Sequence, residues 1–211
     1  MDNQQLYQFN NEQLQVLYTA RLGDGCLATS NSNSTYYVTN CKYKEYLLFK
    51  KSLLKDLFKN LSYREENGYC HTPIYILRSK SLTNELNIIK ELDLSTILKS
   101  LNELGIALWF YDDGSLHKNK HFYNLNTQKF SKEIQEEYFI PFFNKFNIFP
   151  KITKETRKDG RVFWYLRIGK LSGAYEITKI LEKYPINCYN YKRWSSETIQ
   201  KWSKTQGSLK S

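Results

Sequence analysis

Two helical runs of this chain each end in Asp-Gly, and the two endings lie 89 residues apart (24 to 113) in a chain of 211. The first approach reads Leu17-Tyr-Thr-Ala-Arg-Leu-Gly-Asp-Gly25, the second Ile106-Ala-Leu-Trp-Phe-Tyr-Asp-Asp-Gly114, and each continues with x-Leu, at Leu27 and Leu116. A lone Asp-Gly after a helix is most often a cap or a turn. Two in matching contexts constrain much more, because equivalent helix ends packed side by side deliver two carboxylates to one point. Such helices need small residues where they cross, since interaxial distance follows side-chain size. Thr19, Ala20 and Gly23 supply them in the first run, and Gly105 and Ala107 in the second.

The flanking sequence repeats as well. A helix from Asn11 to Gly23, with Leu14, Leu17 and Tyr18 on one face, precedes strands over 26–30 and 36–42 joined by the polar Ser30–Ser34 turn. A helical run over 43–60, strands near 68–72 and 74–79, and a helix over 83–90 complete the first set. In the second set Ser100-Leu-Asn-Glu103 fits a capping box that opens the helix ending at Asp113. Strands over 115–119 and 122–127 come next, then a helix over 131–146 disturbed at Pro141, strands over 150–156 and 161–168, and a helix over 172–184. Both halves therefore read α-β-β-α-β-β-α. A period this long marks a duplicated domain rather than a solenoid. The expected fold is α+β: two pseudo-symmetric repeats over 1–95 and 96–194, packed through their motif helices, with a polar tail over 195–211.

Charge narrows the partner. With 31 Lys+Arg against 21 Asp+Glu the chain carries +10, with a pI near 9.3. This excess suits a polyanion, nucleic acid above all, because each cation placed on a phosphate releases a counterion. The 41% apolar content belongs to a globular chain. Cys26, Cys41, Cys70 and Cys188 show no paired spacing and read as reduced thiols of an intracellular protein, in a bacterial or phage-infected cytoplasm or an organelle matrix such as the mitochondrial one. No secretory leader and no apolar run near the ~20 residues of a membrane span is present. His117-x-x-x-His121 falls in a hairpin without a third ligand nearby, so zinc is not expected there.

Paired carboxylates flanked by backbone carbonyls suit Mg²⁺ (or Mn²⁺), which prefers hard oxygen ligands and retains several waters. Held against a phosphodiester, such ions stabilise the attacking and leaving oxygens of an in-line displacement.

In these residues the chain resembles the LAGLIDADG homing endonucleases in their single-chain, two-repeat form. Leu108-Trp-Phe-Tyr-Asp-Asp-Gly-Ser115 carries most of the likeness, with Leu125-Asn-Thr-Gln-Lys-Phe130 and Tyr191-Lys192 adding to it, and the likeness spans about residues 12–194. It implies an αββαββα duplicate acting as a monomer, with two saddle-shaped antiparallel sheets lying along the major groove of a long, asymmetric double-stranded DNA target. By position it makes Asp24 and Asp113 metal-binding and catalytic, with the carbonyls of Gly23 and Asp112 completing the metal shells. Lys90 and Lys192 match basic residues beside the scissile phosphates, and Gln128 a polar position near the second site. Leu22-Gly23 departs from relatives that carry a further acidic residue, and Gln128 has no clear first-half counterpart. The two sites are thus expected to be unequal, one strand being cut faster.

Alternate side chains of a β-ribbon share a face. The candidate DNA contacts are Asn31, Asn33, Tyr37, Thr39, Lys80, Lys118, Lys120, Asn124, Asn126, Lys151, Lys154, Arg157, Arg161 and Arg167. Arg and Lys suit guanine edges, and Asn suits adenine. The leading reading is a site-specific, Mg²⁺-dependent double-strand DNA endonuclease that promotes mobility of its own intron or coding element. An RNA-binding intron maturase of the same fold and a non-catalytic DNA-binding regulator are the alternatives.

Overall fold

The computed structural model describes residues 9–65, 72–117 and 122–208. Lys118, Lys120, His121, Cys70 and most of the strand expected over 68–72 lie outside them. Packing divides the chain into two compact units, one running to Asp113 and including Ile186–Cys188, the other formed by Gly114–Pro185 and the chain from Tyr189 onward.

The first unit holds α1 (Asn11–Thr19), β1 (Cys26–Thr29), β2 (Thr35–Cys41), α2 (Lys44–Leu54), β3 (Phe58–Arg64), β4 (Ile74–Ser79), α3 (Thr83–Glu91), α4 (Leu94–Ser100) and α5 (Glu103–Asp113). Its antiparallel sheet has the order β1-β2-β4-β3. Directly paired residues share a face, and the pairs Leu27↔Tyr37 and Thr39↔Leu77 are buried under α2 and α3. The opposite face carries Ala28, Tyr36, Val38, Asn40, Asn60, Ser62, Ile76 and Arg78.

The second unit repeats the arrangement with β5 (Gly114–Leu116), β6 (Phe122–Leu125), β7 (Lys151–Thr156) and β8 (Val162–Gly169) in the order β5-β6-β8-β7. Its core face is Tyr123, Leu125, Leu166 and Ile168, all buried. Helix α8 (Tyr175–Lys183) is tied to β6 where Tyr123 Oη and Thr178 Oγ1 lie 2.9 Å apart. The helical stretch between β6 and β7 is broken into α6 (Lys132–Ile134), a π-turn segment over Gln135–Phe139 and α7 (Ile140–Asn144), with Pro141 in the first turn of α7. Proline has no N–H to donate to the carbonyl four residues back, so an uninterrupted α-helix through this stretch would lose a bond at Pro141.

Several boundaries differ from those expected. Asn10, one residue earlier, caps α1 through a capping box with Gln13, and Asn102 rather than Ser100 caps α5 by accepting from the Leu104 and Gly105 amides. Ser100 ends the unanticipated α4, whose cap is Asp93. The helix expected to reach residue 60 stops at Leu54, where Lys55 turns into the left-handed region (φ 51°), so that Phe58 already starts β3. Beyond the repeats, the polar tail forms α9 (Ser196–Ser208), seeded by Ser195 Oγ accepting from the Thr198 amide and anchored by buried Trp202 against Trp194. No helix among the described residues is long and apolar enough to cross a membrane.

The strongest polar element of the first unit lies between α2 and α5. Lys50 Nζ sits 2.9 and 3.0 Å from the two Asp112 carboxylate oxygens, and the Tyr46 hydroxyl donates to the same carboxylate at 2.6 Å. Side-chain exposure is 1% for Lys50 and 2% for Asp112. Burial alone lowers a lysine pKa, but the Asp112 charge and hydrogen bond outweigh it and the net direction is upward, so Lys50 stays protonated at neutral pH. Such a pair is weak evidence of net stability, yet breaking it leaves a buried charge uncompensated.

Two predictions follow from this packing. Lys50→Met should lower unfolding stability by about 3–5 kcal/mol, and Lys50→Met/Asp112→Leu should recover most of it; urea denaturation reads both, and a single variant as stable as the parent would contradict the account. At Gly25 a Cβ would stand 2.8 Å from Tyr37 Cε2 and 2.9 Å from the Ala20 Cα. Gly25→Ala should therefore cost about 1–3 kcal/mol through overpacking, and an unchanged urea midpoint would show that the site has room.

Candidate metal centre and nucleic-acid face

The motif helices α1 and α5 pack against each other within the first unit. Gln15 stitches their N-terminal ends, its Nε2 donating to the Ser100 carbonyl at 3.0 Å and its Oε1 accepting from the Asn102 amide at 3.0 Å. Gly105 leaves the space that the Gln15 side chain fills. At the other end the Gly23 amide still donates to the Thr19 carbonyl at 2.8 Å, which prolongs the helical turn to the motif. A Cβ on Gly23 would lie 2.9 Å from Asp112 Cβ, 3.1 Å from Asp112 Oδ2 and 3.2 Å from Asp113 Oδ2. The missing side chain thus lets the two Asp-bearing ends meet, and Asp24 follows Gly23 directly.

Asp24 is exposed and Asp113 half-buried. The Asp112 carboxylate is taken up by Lys50 and Tyr46, leaving its backbone carbonyl as the group available to a metal, as for Gly23. Two carboxylates with flanking carbonyls form an all-oxygen donor set that fits Mg²⁺ or Mn²⁺. No group of three or more His, Cys, Asp or Glu gathers among the described residues, so the set is partial, and such an ion would keep several water ligands.

Lys90 lies at the end of α3, exposed, with Nζ 3.2 Å from Thr29 Oγ1 of β1. It is brought there by Arg21, three residues before Asp24, whose Nη1 donates to the carbonyls of Ile89, Lys90 and Leu92. A basic side chain completing the orphan carbonyls at a helix C-terminus is favourable twice over, by hydrogen bonding and by the dipole. Arg21 was not singled out from the sequence; a cation just outside its own helix gives no sign of which distant helix end it caps. Lys192, expected beside a phosphate, is 8% exposed with Nζ 4.6 Å from the Tyr189 ring centre. Gln128 donates to Glu155 Oε2 at 3.0 Å and accepts from Arg157 at 3.4 Å. Lys192 and Gln128 belong to the second unit.

The sheet faces correct part of the expected DNA surface. Tyr37 is fully buried and Thr39 is 3% exposed, both on the core face; burial pushes the Tyr37 phenol pKa upward against the nearby Lys50 charge. The observed alternation is one residue out of phase with the expected one, and the solvent-facing residues of β2 are Tyr36, Val38 and Asn40. Lys154 is exposed but pairs with Trp164, on the same face as buried Leu166, so it does not share a face with Arg167. Asn124, Arg167 and Lys151 do share the outer face of the second sheet. Asn31 and Asn33 are exposed in the β1–β2 turn, Asn33 with φ 57°, while Lys80 and Asn126 are exposed just past β4 and β6. Arg157 and Arg161 flank the β7–β8 turn with their guanidinium groups 4.4 and 5.9 Å from the Phe163 ring, and Arg161 is also paired with Asp159. His117 stacks on the Phe122 ring at 4.2 Å. Arg78, on the outer face of β4, was missed because Ile74–Ser79 was read as a strand without fixing which side its arginine faces.

The chain is 38% identical over 73 residues to "Probable intron-encoded DNA endonuclease 3" of Mycosarcoma maydis, a match covering 33% of this chain and 51% of that protein; the chain thus spans about half the length of that curated relative. Its fold is similar to that of the homing endonuclease I-WcaI bound to its DNA recognition sequence, with a TM-score of 0.72, 19% identity, and 88% and 87% of the two chains covered. It is also similar to I-DmoI in complex with DNA and Mn (TM-score 0.50, 14% identity, 80% and 97% covered) and to full-length DUF199/WhiA from Thermatoga maritima (TM-score 0.54, 13% identity, 93% and 61% covered). The model of the LAGLIDADG DNA endonuclease family matches residues 14–174, most of the chain, and the protein belongs to that family.

Proposed function

We propose that this chain is a divalent-metal-dependent, site-specific double-strand DNA endonuclease that promotes the mobility of its own genetic element. The observation that carries the reading is the close approach of the Gly23 backbone to Asp112 and Asp113, with Asp24 the next residue of the chain. Because α1 and α5 of a single chain supply both carboxylates, a monomer suffices.

The roles divide by chemistry. Asp24 and Asp113, with the Gly23 and Asp112 carbonyls, would hold Mg²⁺ or Mn²⁺, which supplies Lewis-acid stabilisation of the phosphate and an activated water. Lys50 keeps the Asp112 carboxylate out of that shell. Lys90, whose Nζ bonds to Thr29 Oγ1, would offset phosphate charge on the side of the first motif. Lys192 and Gln128 are assigned to the second side by family resemblance. The outer faces of the two sheets would lie in the major groove, where a two-stranded β-ribbon can reach base edges. The net charge of +10 supplies the sequence-independent affinity that precedes recognition.

Selection of cleaved sites from a random DNA library with Mg²⁺ should enrich one long target, and a chelator should abolish enrichment. On that target Asp24→Asn and Asp113→Asn should each slow double-strand cleavage on the order of 100-fold or more, the scale of losing one charge-stabilising group, while gel-shift affinity changes little. Undiminished cleavage by both variants would remove the mechanism. Failure of the parent chain to enrich any target, with retained binding to its intron RNA, would instead move the assignment to a maturase.

A further inference from the structure

We propose that Arg78 and Arg167 are the paired specificity-determining residues of this chain, each directing its guanidinium fork at a guanine in a different half of the target. The inference rests on the endonuclease reading above and deepens it by separating two base readers from the many cations that only position DNA.

Four observations converge. The two arginines are 89 residues apart, the same offset that relates Asp24 to Asp113. They sit on corresponding strands, β4 and β8, next to β2 and β6 in sheets of matching order. Both lie on outer faces, Arg78 between Val38 and Asn60, and Arg167 between Asn124 and Lys151. Each guanidinium stands over the ring of the residue two positions before its cross-strand partner, at 5.8 Å for Tyr36 and 4.5 Å for Phe122. Arg167 is fixed further by donating to the Tyr165 hydroxyl at 2.7 Å and to Asn124 Oδ1 at 3.4 Å.

Stacking matters because an arginine fork loses rotamer freedom when it binds; a ring beneath it removes part of that cost beforehand. A phosphate accepts a cation from many directions, whereas the O6 and N7 edge of guanine accepts a planar fork in one plane. Of the other arginines, Arg21 is engaged by helix carbonyls, Arg157 by Gln128 and Arg161 by Asp159. Among the described residues neither Arg78 nor Arg167 makes a salt bridge.

The test uses the full chain and the target recovered by library selection. Every base pair of that target is varied, and cleavage and gel-shift binding are measured for the parent, Arg78→Met, Arg167→Met and the two Arg→Lys variants. The parent should prefer guanine by about tenfold or more at one position in each half-site. Each variant should erase that preference at its own position and leave the others unchanged. The Lys variants keep the charge and lose the fork, so they should retain the salt dependence of binding while losing the preference, and they secure the test if a Met variant folds poorly. Uniform weakening across all bases, unchanged base preferences, or both arginines mapping to one base pair would overturn the proposal. A parent chain that enriches no target would remove the endonuclease reading and this inference together; an enriched target indifferent to these arginines removes the inference alone.

Discussion

Buried charge fixes the end of the second motif helix. Asp112 and Asp113 are adjacent, and a chain offering both carboxylates to one metal would have an ill-defined site. The Lys50 ammonium and the Tyr46 hydroxyl draw Asp112 into the core of the first unit, where its charge is compensated within hydrogen-bond distance. Desolvating two charges is tolerable only with geometry of this quality, since their Coulomb attraction must offset a solvation loss of several kcal/mol per ion. Asp113, half-buried, ends the same helix beside Gly23.

The first motif is held by different chemistry. At the repeat offset, Gly23 and Phe139 occupy the positions corresponding to Asp112 and Lys50, so no equivalent ion pair exists there. Arg21 instead reaches across to the carbonyls closing α3 and thereby places Lys90 near β1. Symmetric topology is thus built on asymmetric supports. This gives a physical basis for the expectation that the two strands are cut at unequal rates.

Much of this was legible in the chain. The Asp-Gly repeat, the small residues at the helix crossing and much of the element order follow from pattern and side-chain size, whereas α4 and the position of β3 do not. The phase of β2 was not, because Thr35-Tyr-Tyr-Val-Thr-Asn-Cys41 is amphipathic in either phase; only pairing with Leu27 and Leu77 decides that Tyr37 and Thr39 face the core. The early stop of α2 was hidden because Leu53, Leu54, Leu57 and Phe58 keep helical spacing through a left-handed Lys55. The ion pair did leave a signal. Lys50 stands on the apolar stripe of Tyr46, Leu47, Leu53 and Leu54, and Asp112 ends a helix that is otherwise apolar from Leu104 to Tyr111. A cation on an apolar stripe and a surplus acid on an apolar helix invite pairing, but topology alone brings those two elements together.

Asp24 and Asp113 are proposed to hold one divalent ion jointly where the two motif ends meet at Gly23. Electron paramagnetic resonance of Mn²⁺ titrated into the protein–target complex tests it without relying on cleavage. The account predicts that the parent complex depletes the free-ion signal stoichiometrically and that an Asp24→Asn/Asp113→Asn complex of equal DNA affinity leaves it near the level of DNA alone. Equal Mn²⁺ uptake by the two complexes would contradict it.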